Sequence, residues 1–487
     1  MSRAVRAILL GSFFLPLLGH AAQVVVGSKV FTESVILGEL ATQLIRDAGY
    51  QAVHRRELGG TRVLWSALSR GDIACYPEYT GTLRAEIFSG QSLEDDAQLR
   101  RALRNEDIWA SEPLGFNNTY VLGMRRERAR ELGITRISQL AAHTELTLGF
   151  SNEFLNRADG WPGLRKTYGL RHENVRGLDH DLAYRAVASG AIDVTDLYST
   201  DAEIEHYDLV ALEDDAGFFP DYETLILCNR EVPAPVRAAI DRLSGRIDVE
   251  SMIAMNARAK LDRQPESRVA ADFLKQELTV SDQAVQRTRA QRVWRRTVEH
   301  LAMVGISLAA AVVIAIPLGI AAFYRRTLGR VVFAIADILQ TVPALALLVF
   351  LIPWLGIGYA PAVAALFLYS LLPVLRNTHA GLADIPRDLR ESAQALGLKF
   401  FARLKYVELP LAARSILGGV RIAAVINVGT ATLGALIGAG GYGQSILTGI
   451  RLDDLGLILE GALPAAGLAL LAQVGFGWLE RRWVTEK

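Results

Sequence analysis

The feature that most constrains this chain is the stretch 301–324, which carries no charged residue and is long enough to cross a bilayer as a helix. Residues 338–375 are likewise uncharged, for too long to form one helix. Pro353, Gly356, Gly358 and Pro361 supply a break there, giving spans at about 331–352 and 360–375. Residues 415–437, interrupted by Arg421, and 455–479, with Glu460 near the outer end, complete a predicted set of five. A hydrophobic content of 51% over 487 residues agrees with a chain that lies partly in lipid.

The first 300 residues read differently. Residues 1–22 have Arg3 and Arg6, an apolar core over 7–18 and small residues before a cleavage point after Ala21 or Ala22, the order of a secretory signal; an uncleaved anchor stays open. No cysteine follows the signal directly, so the expected tether is the chain itself. Over residues 23–277 short apolar strands alternate with amphipathic helices: strands at 24–26, 52–56 and 72–76, helices at 34–48 and 62–69. Such alternation predicts a parallel or mixed sheet covered on both faces, and the length suits two lobes. Sheets of this kind bind ligands at the carboxyl ends of their strands. Residues 278–297 form a basic connector with Arg287, Arg289, Arg292, Arg295 and Arg296, read as an amphipathic helix on the membrane surface or a solvated linker. The expected domains are therefore 1–22, 23–277, the connector 278–297 and a membrane domain, 298–487.

Five spans counted from an exported domain put Arg325, Arg326, Arg330, the loop 391–410 and Arg481 in the cytoplasm, as positive-inside counting requires. The connector arginines fall outside, where an export signal and a long folded domain override the charge of one flank. A net charge of zero gives no reason to expect nucleic acid. The chain has no G-x-x-x-x-G-K-[ST] phosphate loop, no H-E-x-x-H and no nucleophile elbow with plausible partners, so neither a catalytic centre, a metal nor a bound cofactor is expected. If transport is driven, the ATP is used by another chain. Cys75 and Cys228 are too few for a zinc cluster. A bridge between them is compatible with export, and two buried thiols are the expectation.

Tyrosines recur in one kind of setting: Tyr76 and Tyr79 in CYPEYTGT, Tyr120 in GFNNTY, Tyr198 in DLYSTD and Tyr222 in FFPDYET. Each segment mixes an aromatic with Gly, Pro, Asn or Asp, the composition of loops at strand ends. Aromatic faces converging on one pocket attract a soft cation such as trimethylammonium by about 0.5 to 2 kcal/mol per contact. The other reading has these rings capping a core with their hydroxyls satisfied. In the membrane half, Gly434 and Gly438 form a GxxxG suited to helix packing, and residues 438–443, GAGGYG, suit a tight outer turn. Asp337, Arg421 and Glu460 lie near helix ends, where snorkelling is cheap, and are not read as substrate ligands.

The segments GSKVFTE, ELGGT, YPEYTGT, LGFNNTYVLGMR, FLNRADGWPGL, DLAYRA, DLYSTDAEI and LEDDAGFFPDYET resemble the substrate-binding proteins of osmoprotectant ABC importers, in order over about residues 24–229. ILQTVPALALL, LPVLRNTHAG and IGAGGYG are similar to the permeases of the same importers. Between the spans, ESAQALGLKFFARLKYVELP resembles their EAA coupling loop in Glu391, Ala393, Gly397, Leu409 and Pro410, with Ser392 where the second-position Ala is usual. A helix is expected to start near Glu391, turn at Gly397 for close approach and end before Pro410.

The resemblance implies a type II, two-lobed α/β periplasmic-binding-protein domain followed by an all-α transmembrane permease of about five helices. It implies an aromatic cage of Tyr79, Tyr120, Tyr198 and Tyr222, with carboxylate contacts from Thr82, Asn117 or Asn118 and from amides around Gly60 and Thr61. A Gln often follows FTE in the family, and Ser34 stands there; the shorter side chain leaves room for a different ligand. The implied function is uptake of glycine betaine, choline, carnitine or related quaternary ammonium compounds at a bacterial cytoplasmic membrane, with the receptor outside. The implied assembly is a homodimer through the permease, with two copies of an ATPase subunit docked on the coupling loops. The alternatives are a different betaine such as ergothioneine, or a ligand-sensing receptor without net transport.

Overall fold

The computed structural model describes residues 23–281, 283–284 and 288–484; the expected signal, 1–22, and Arg287 lie outside the described residues. Ten strands are named here in chain order: β1 Val24–Gly27, β2 Ala52–Arg55, β3 Cys75–Tyr79, β4 Ile108–Ala110, β5 Tyr120–Arg125, β6 Leu148–Ser151, β7 Val175–Leu178, β8 Val194–Tyr198, β9 Leu209–Leu212 and β10 Thr224–Asn229. They form two sheets, ordered β2-β1-β3-β10-β4 and β7-β6-β8-β5-β9. Each has three parallel strands and then one strand that runs against them, β10 in the first lobe and β5 in the second. The lobes thus repeat one strand order, a symmetry that no sequence repeat reveals.

The chain crosses between lobes twice, where Asn117 bridges Glu223 in antiparallel fashion. The crossings are tied by Asn118 N donating to Tyr222 O at 3.1 Å and by Tyr222 N donating to Asn117 Oδ1 at 2.7 Å. After the second crossing the chain stays with the first lobe. Helices Val249–Lys260 and Glu266–Leu278 pack Met252, Met255, Val269 and Phe273 against Ile36, Leu40 and Leu44 of helix Thr32–Asp47.

Two expectations for this domain are corrected. The strand predicted at 72–76 is β3, three residues later. After helix Thr61–Ser69, Gly71 takes φ +77° and the Asp72 and Ile73 amides donate back to Ala67 O, so the chain is still turning. Cys75 and Cys228, expected as free thiols, form a disulfide, because the register sets them opposite each other on β3 and β10.

Among the described residues, four helical stretches of the second half are long and apolar enough to span: Arg289–Tyr324, Tyr359–Ala383, Phe400–Ile437 and Leu455–Arg482. The span predicted at 331–352 is two helices, Arg326–Thr341 and Ala344–Leu355, bent by 103°. Pro343 lacks the amide hydrogen needed to continue the ladder and holds Val342 extended. The pair still joins opposite faces. It begins beside Tyr324, which is bonded to Glu408 of the coupling loop, and ends at Gly356, packed on Asp72 of the receptor. That gives five crossings, with the receptor at one end and the coupling loop at the other.

The basic connector is not a separate surface helix. From Arg289 it is the first turns of the 36-residue helix Arg289–Tyr324, capped by Thr288 and Gln291, with Arg292 paired to Glu460 at 3.0 Å. The other flagged membrane charges are also paired, Asp337 with Arg376 at 2.6 Å and Arg421 with Glu480 at 3.1 Å.

Of the GxxxG glycines, Gly434 packs against membrane helices, where a Cβ would meet Ala362 at 3.3 Å and Met303 at 3.8 Å, and Gly438 does not. Gly434 lies in a 3-10 turn over Ala431–Ile437, while Gly438 takes φ +76° and sits where a Cβ would collide with Leu58 of the receptor. The coupling helix starts before Glu391, at Arg387, and ends at Ala395. Gly397 serves its positive φ of 79° rather than close approach, since a Cβ there would meet open space. Pro410 closes no helix: it lies inside the helical stretch Phe400–Ile437, where a π-turn over Leu404–Glu408 runs directly into helix Leu409–Thr430.

Candidate functional site

The predicted cage tyrosines come from equivalent places in the two sheets. Tyr79 ends β3 and Tyr198 ends β8, the third parallel strand of each lobe, while Tyr120 starts β5 and Tyr222 lies on the second crossing. Register pairs Tyr120 with Tyr198 directly. Ring centroids are 5.3 Å apart for Tyr120 and Tyr198 and 5.7 Å for Tyr120 and Tyr222; Phe31 joins Tyr79 at 6.1 Å and Tyr198 at 5.3 Å. One aromatic cluster therefore closes the seam between the lobes. Tyr79, Tyr120 and Tyr222 are buried and Tyr198 is half-buried.

Carboxylates orient two of these rings, Tyr79 and Tyr222. Glu33 Oε1 accepts from Tyr79 Oη at 2.7 Å and Asn118 Nδ2 at 2.8 Å, and Glu33 Oε2 accepts from Thr200. Burial pushes the Glu33 carboxyl above the usual range, against the pull of the Thr200, Tyr79 and Asn118 hydrogen bonds. Tyr222 Oη donates to Asp159 at 2.7 Å. Burial raises the pKa values of all four tyrosines, which remain phenols. Behind Tyr198, at 4.3 Å between ring centroids, lies His180, hydrogen-bonded to Asp201 at 3.0 Å. Burial lowers the imidazole pKa, but the Asp201 bond and the Asp201 and Asp196 charges outweigh it and bring it to about 9.

Two cations stand in the cluster that the sequence reading did not name. Lys29 Nζ lies 5.3 Å from the Tyr79 ring centroid and pairs with Glu78. The Arg157 guanidinium lies 5.8 Å from the Tyr120 centroid, reaches Thr82 Oγ1 at 3.4 Å and pairs with Asp159 and, at 3.2 Å, with Glu86 of the first lobe. Both lie inside quoted motifs, GSKVFTE and FLNRADGWPGL, and their charge was the available signal. Arg157 also lines a cavity of about 450 Å³ between the lobes, with Gly60, Thr61 and Glu86 on one side and Glu153 on the other. Thr61 Oγ1 and Asn118 Oδ1 are buried without a hydrogen-bond partner, while Asn117 is committed to the crossing through Tyr222 N and Asp221. Ser34, where a longer amide was the family expectation, is buried and accepts from Lys29 N at 2.9 Å, so its hydroxyl braces the backbone.

The model of the substrate-binding domain of ABC-type glycine betaine transport systems matches residues 22–276, more than half of the chain. The chain belongs to that family. Residues 301–485 match the inner-membrane component of binding-protein-dependent transport systems. Among curated relatives, the osmoprotectant import permease protein OsmW of Salmonella typhimurium is 40% identical over 191 residues, covering 38% of this chain and 87% of the relative. The glycine betaine/carnitine/choline permease OpuCD of Bacillus subtilis is 42% identical over 183 residues, covering 37% of this chain and 80% of the relative. Among solved structures, one titled as a glycine betaine/carnitine/choline ABC transporter aligns with TM-score 0.45 and 28% identity, over 53% of this chain and all of the other.

This member of the glycine betaine family thus carries its substrate-binding domain and its permease domain in one polypeptide, the permease in the inner membrane and the receptor on the external face. It is a transport subunit. On the face opposite the receptor, the coupling loop buries Ala393 and leaves Glu391, Ser392, Gly397 and Pro410 exposed, with Leu409 half-buried. Leu396, Phe401 and Tyr406 of the same loop are also exposed. Buried Glu408 braces the loop, with Arg403 at 3.2 Å and Tyr324 against it.

Proposed function

We propose that the receptor binds a betaine, a solute with a quaternary ammonium group and a carboxylate, and passes it to the permease for ATP-driven import. The observation that carries this reading is the union of four tyrosines from both lobes with the guanidinium of Arg157 over Tyr120. The ammonium would lie against Tyr79, Tyr120, Tyr198 and Tyr222, at about 0.5 to 2 kcal/mol per desolvated contact. The carboxylate would turn to Arg157, Lys29 and Thr82, with Asn118 and Thr61 offering further polar contacts. Glycine betaine and carnitine have this polarity; choline has no carboxylate to offer the two cations, which keep only their protein partners Glu78, Asp159 and Glu86.

Titration calorimetry of the full chain in detergent against glycine betaine, carnitine, choline, ergothioneine and an uncharged isostere of choline tests it. Tighter binding of a carboxylated quaternary amine than of choline, and none of the isostere, is the expected order. Equal binding of the isostere would remove the cation cage.

The exposed Leu396, Phe401 and Tyr406 beside Glu391 and Ser392 support docking of an ATPase subunit on the coupling loop, one per permease copy in a homodimer with two ATPases. A sensor without transport has no use for such a face. Copurification of an ATPase that is lost on substituting Leu396 and Phe401 by Ser is the expected result, and a chain that retains no ATPase in any preparation would favour the sensor.

A further inference from the structure

The receptor and the permease meet around one buried arginine. Arg451, 5% exposed, ends helix Tyr442–Arg451 on the outer face of the permease and reaches into the first lobe. Its Nε pairs with Glu57 Oε1 at 2.6 Å, its Nη2 with Glu266, and its Nη1 donates to Thr32 Oγ1 at 2.8 Å. Glu57 is held at a left-handed φ of 58° and also accepts from Gln444 and, at 2.8 Å, from Thr448 Oγ1 of the same helix. Glu57, Glu266 and Thr32 are all buried. A buried guanidinium that spends its donors on three side chains of another domain fixes orientation as well as contact. Thr32 opens helix Thr32–Asp47, with Phe31 before it and Glu33 after it, both part of the tyrosine cluster.

We infer that Arg451 is a positioning residue that pins the first lobe to its own permease and transmits movement of helix Tyr442–Arg451, through Thr32, to Glu33 and the ligand cleft. The pin is intramolecular by tether length: helices Glu266–Leu278 and Arg289–Tyr324 are joined by residues 279–288, which reach about 35 Å at full extension. The consequence for ligand affinity rests on the site proposed above.

The test uses the full chain in lipid nanodiscs, with spin labels at exposed Gln51 and Leu455; the two native cysteines are bonded to each other. Pulsed electron resonance is expected to give one narrow distance in the parent and in Arg451→Lys, and a broad distribution in Arg451→Gln. Titration with glycine betaine is expected to weaken about threefold in Thr32→Val, which keeps both ion pairs and loses one hydrogen bond, and about tenfold in Arg451→Gln. Because Thr32→Val leaves the interface charges paired, its effect does not depend on whether Arg451→Gln folds well. An unbroadened distribution in Arg451→Gln, or affinity within about twofold of the parent in both variants, overturns the inference. If the parent binds no betaine while the distance still broadens in Arg451→Gln, the pin stands and the betaine reading fails.

Discussion

The two lobes share one strand order and meet the permease in opposite ways. The first lobe continues into it: Leu58, Ile73 and Leu64 belong to one apolar cluster with Ile352, Ile357 and Ile437, beside the buried Arg451 ion pairs. The second lobe touches it at an exposed pair, Arg185 to Asp453 at 2.9 Å, with side chains 41% and 62% accessible. Apolar burial and fully paired buried charge hold a body in place, whereas an exposed pair contributes about 0 to 1 kcal/mol. The difference predicts the roles: the first lobe as the fixed wall, carrying Tyr79 and Glu33, and the second as the door, carrying Tyr120, Tyr198 and Arg157.

The strongest way to break this division is at the latch between the lobes. Lys260 of the first lobe is buried against Asp181 and Glu203 of the second. Lys260→Met leaves buried Glu203 and half-buried Asp181 without their cation, and thermal unfolding should register a loss of about 3 to 5 kcal/mol. A loss under about 1 kcal/mol would mean that the contact between the lobes does not depend on this ion pair. His180 adds a pH signature in the same region. Its folded pKa is raised to about 9, so its contribution is complete below about pH 6.5 and disappears as pH rises through about 9. Stability of the second lobe should fall over that alkaline window.

A smaller effect separates the lobes by covalent chemistry. The Cys75–Cys228 bridge closes a chain separation of 153 residues within the first sheet. Replacing both cysteines by Ser should destabilise the first lobe by about 2 to 4 kcal/mol. Hydrogen exchange should locate the loss in β3 and β10 rather than in β6 to β8; a loss spread equally over both sheets would mean that they unfold as one unit. The cage sharpens the comparison further. Tyr198→Ala on the moving lobe and Tyr222→Ala at the crossing should each weaken a quaternary amine by about 1 kcal/mol or more, read by titration.

Much of this was legible in the residues themselves. The tyrosines could be found because each sits among turn residues at a strand end, a local pattern, and the spans because lipid demands long uncharged runs. What escaped was set by distant neighbours. Whether Cys75 meets Cys228 depends on the register of two strands far apart in the chain. Arg451 reads as one more interfacial arginine until the fold brings Glu57 and Glu266 around it. Pro343 could have marked the bend in the second span, but the long apolar run around it masked a single missing amide. Gly434 and Gly438 fit a packing motif by spacing; Gly434 does pack near Ala362 and Met303, while the role of Gly438 came from Leu58 of the other domain.

The smallest expected effect is the most discriminating one for the comparison. Arg185→Ala removes the exposed contact of the second lobe with Asp453, whose backbone carbonyl is also reached by Arg263 of the first lobe at 3.2 Å. Solvent screens this pair, so thermal stability should move by about 0 to 1 kcal/mol and uptake of a betaine into proteoliposomes by about twofold or less, the effect shrinking further in high salt. Arg451→Gln, read in the same assay, should exceed it severalfold, because it strips the cation from buried Glu57 and leaves buried Glu266 with Arg56 alone. Should Arg185→Ala prove the more damaging, the second lobe would be the one that the permease holds. The closing motion would then belong to the first lobe, with Glu33 and Tyr79 travelling toward a stationary Tyr120 and Tyr198.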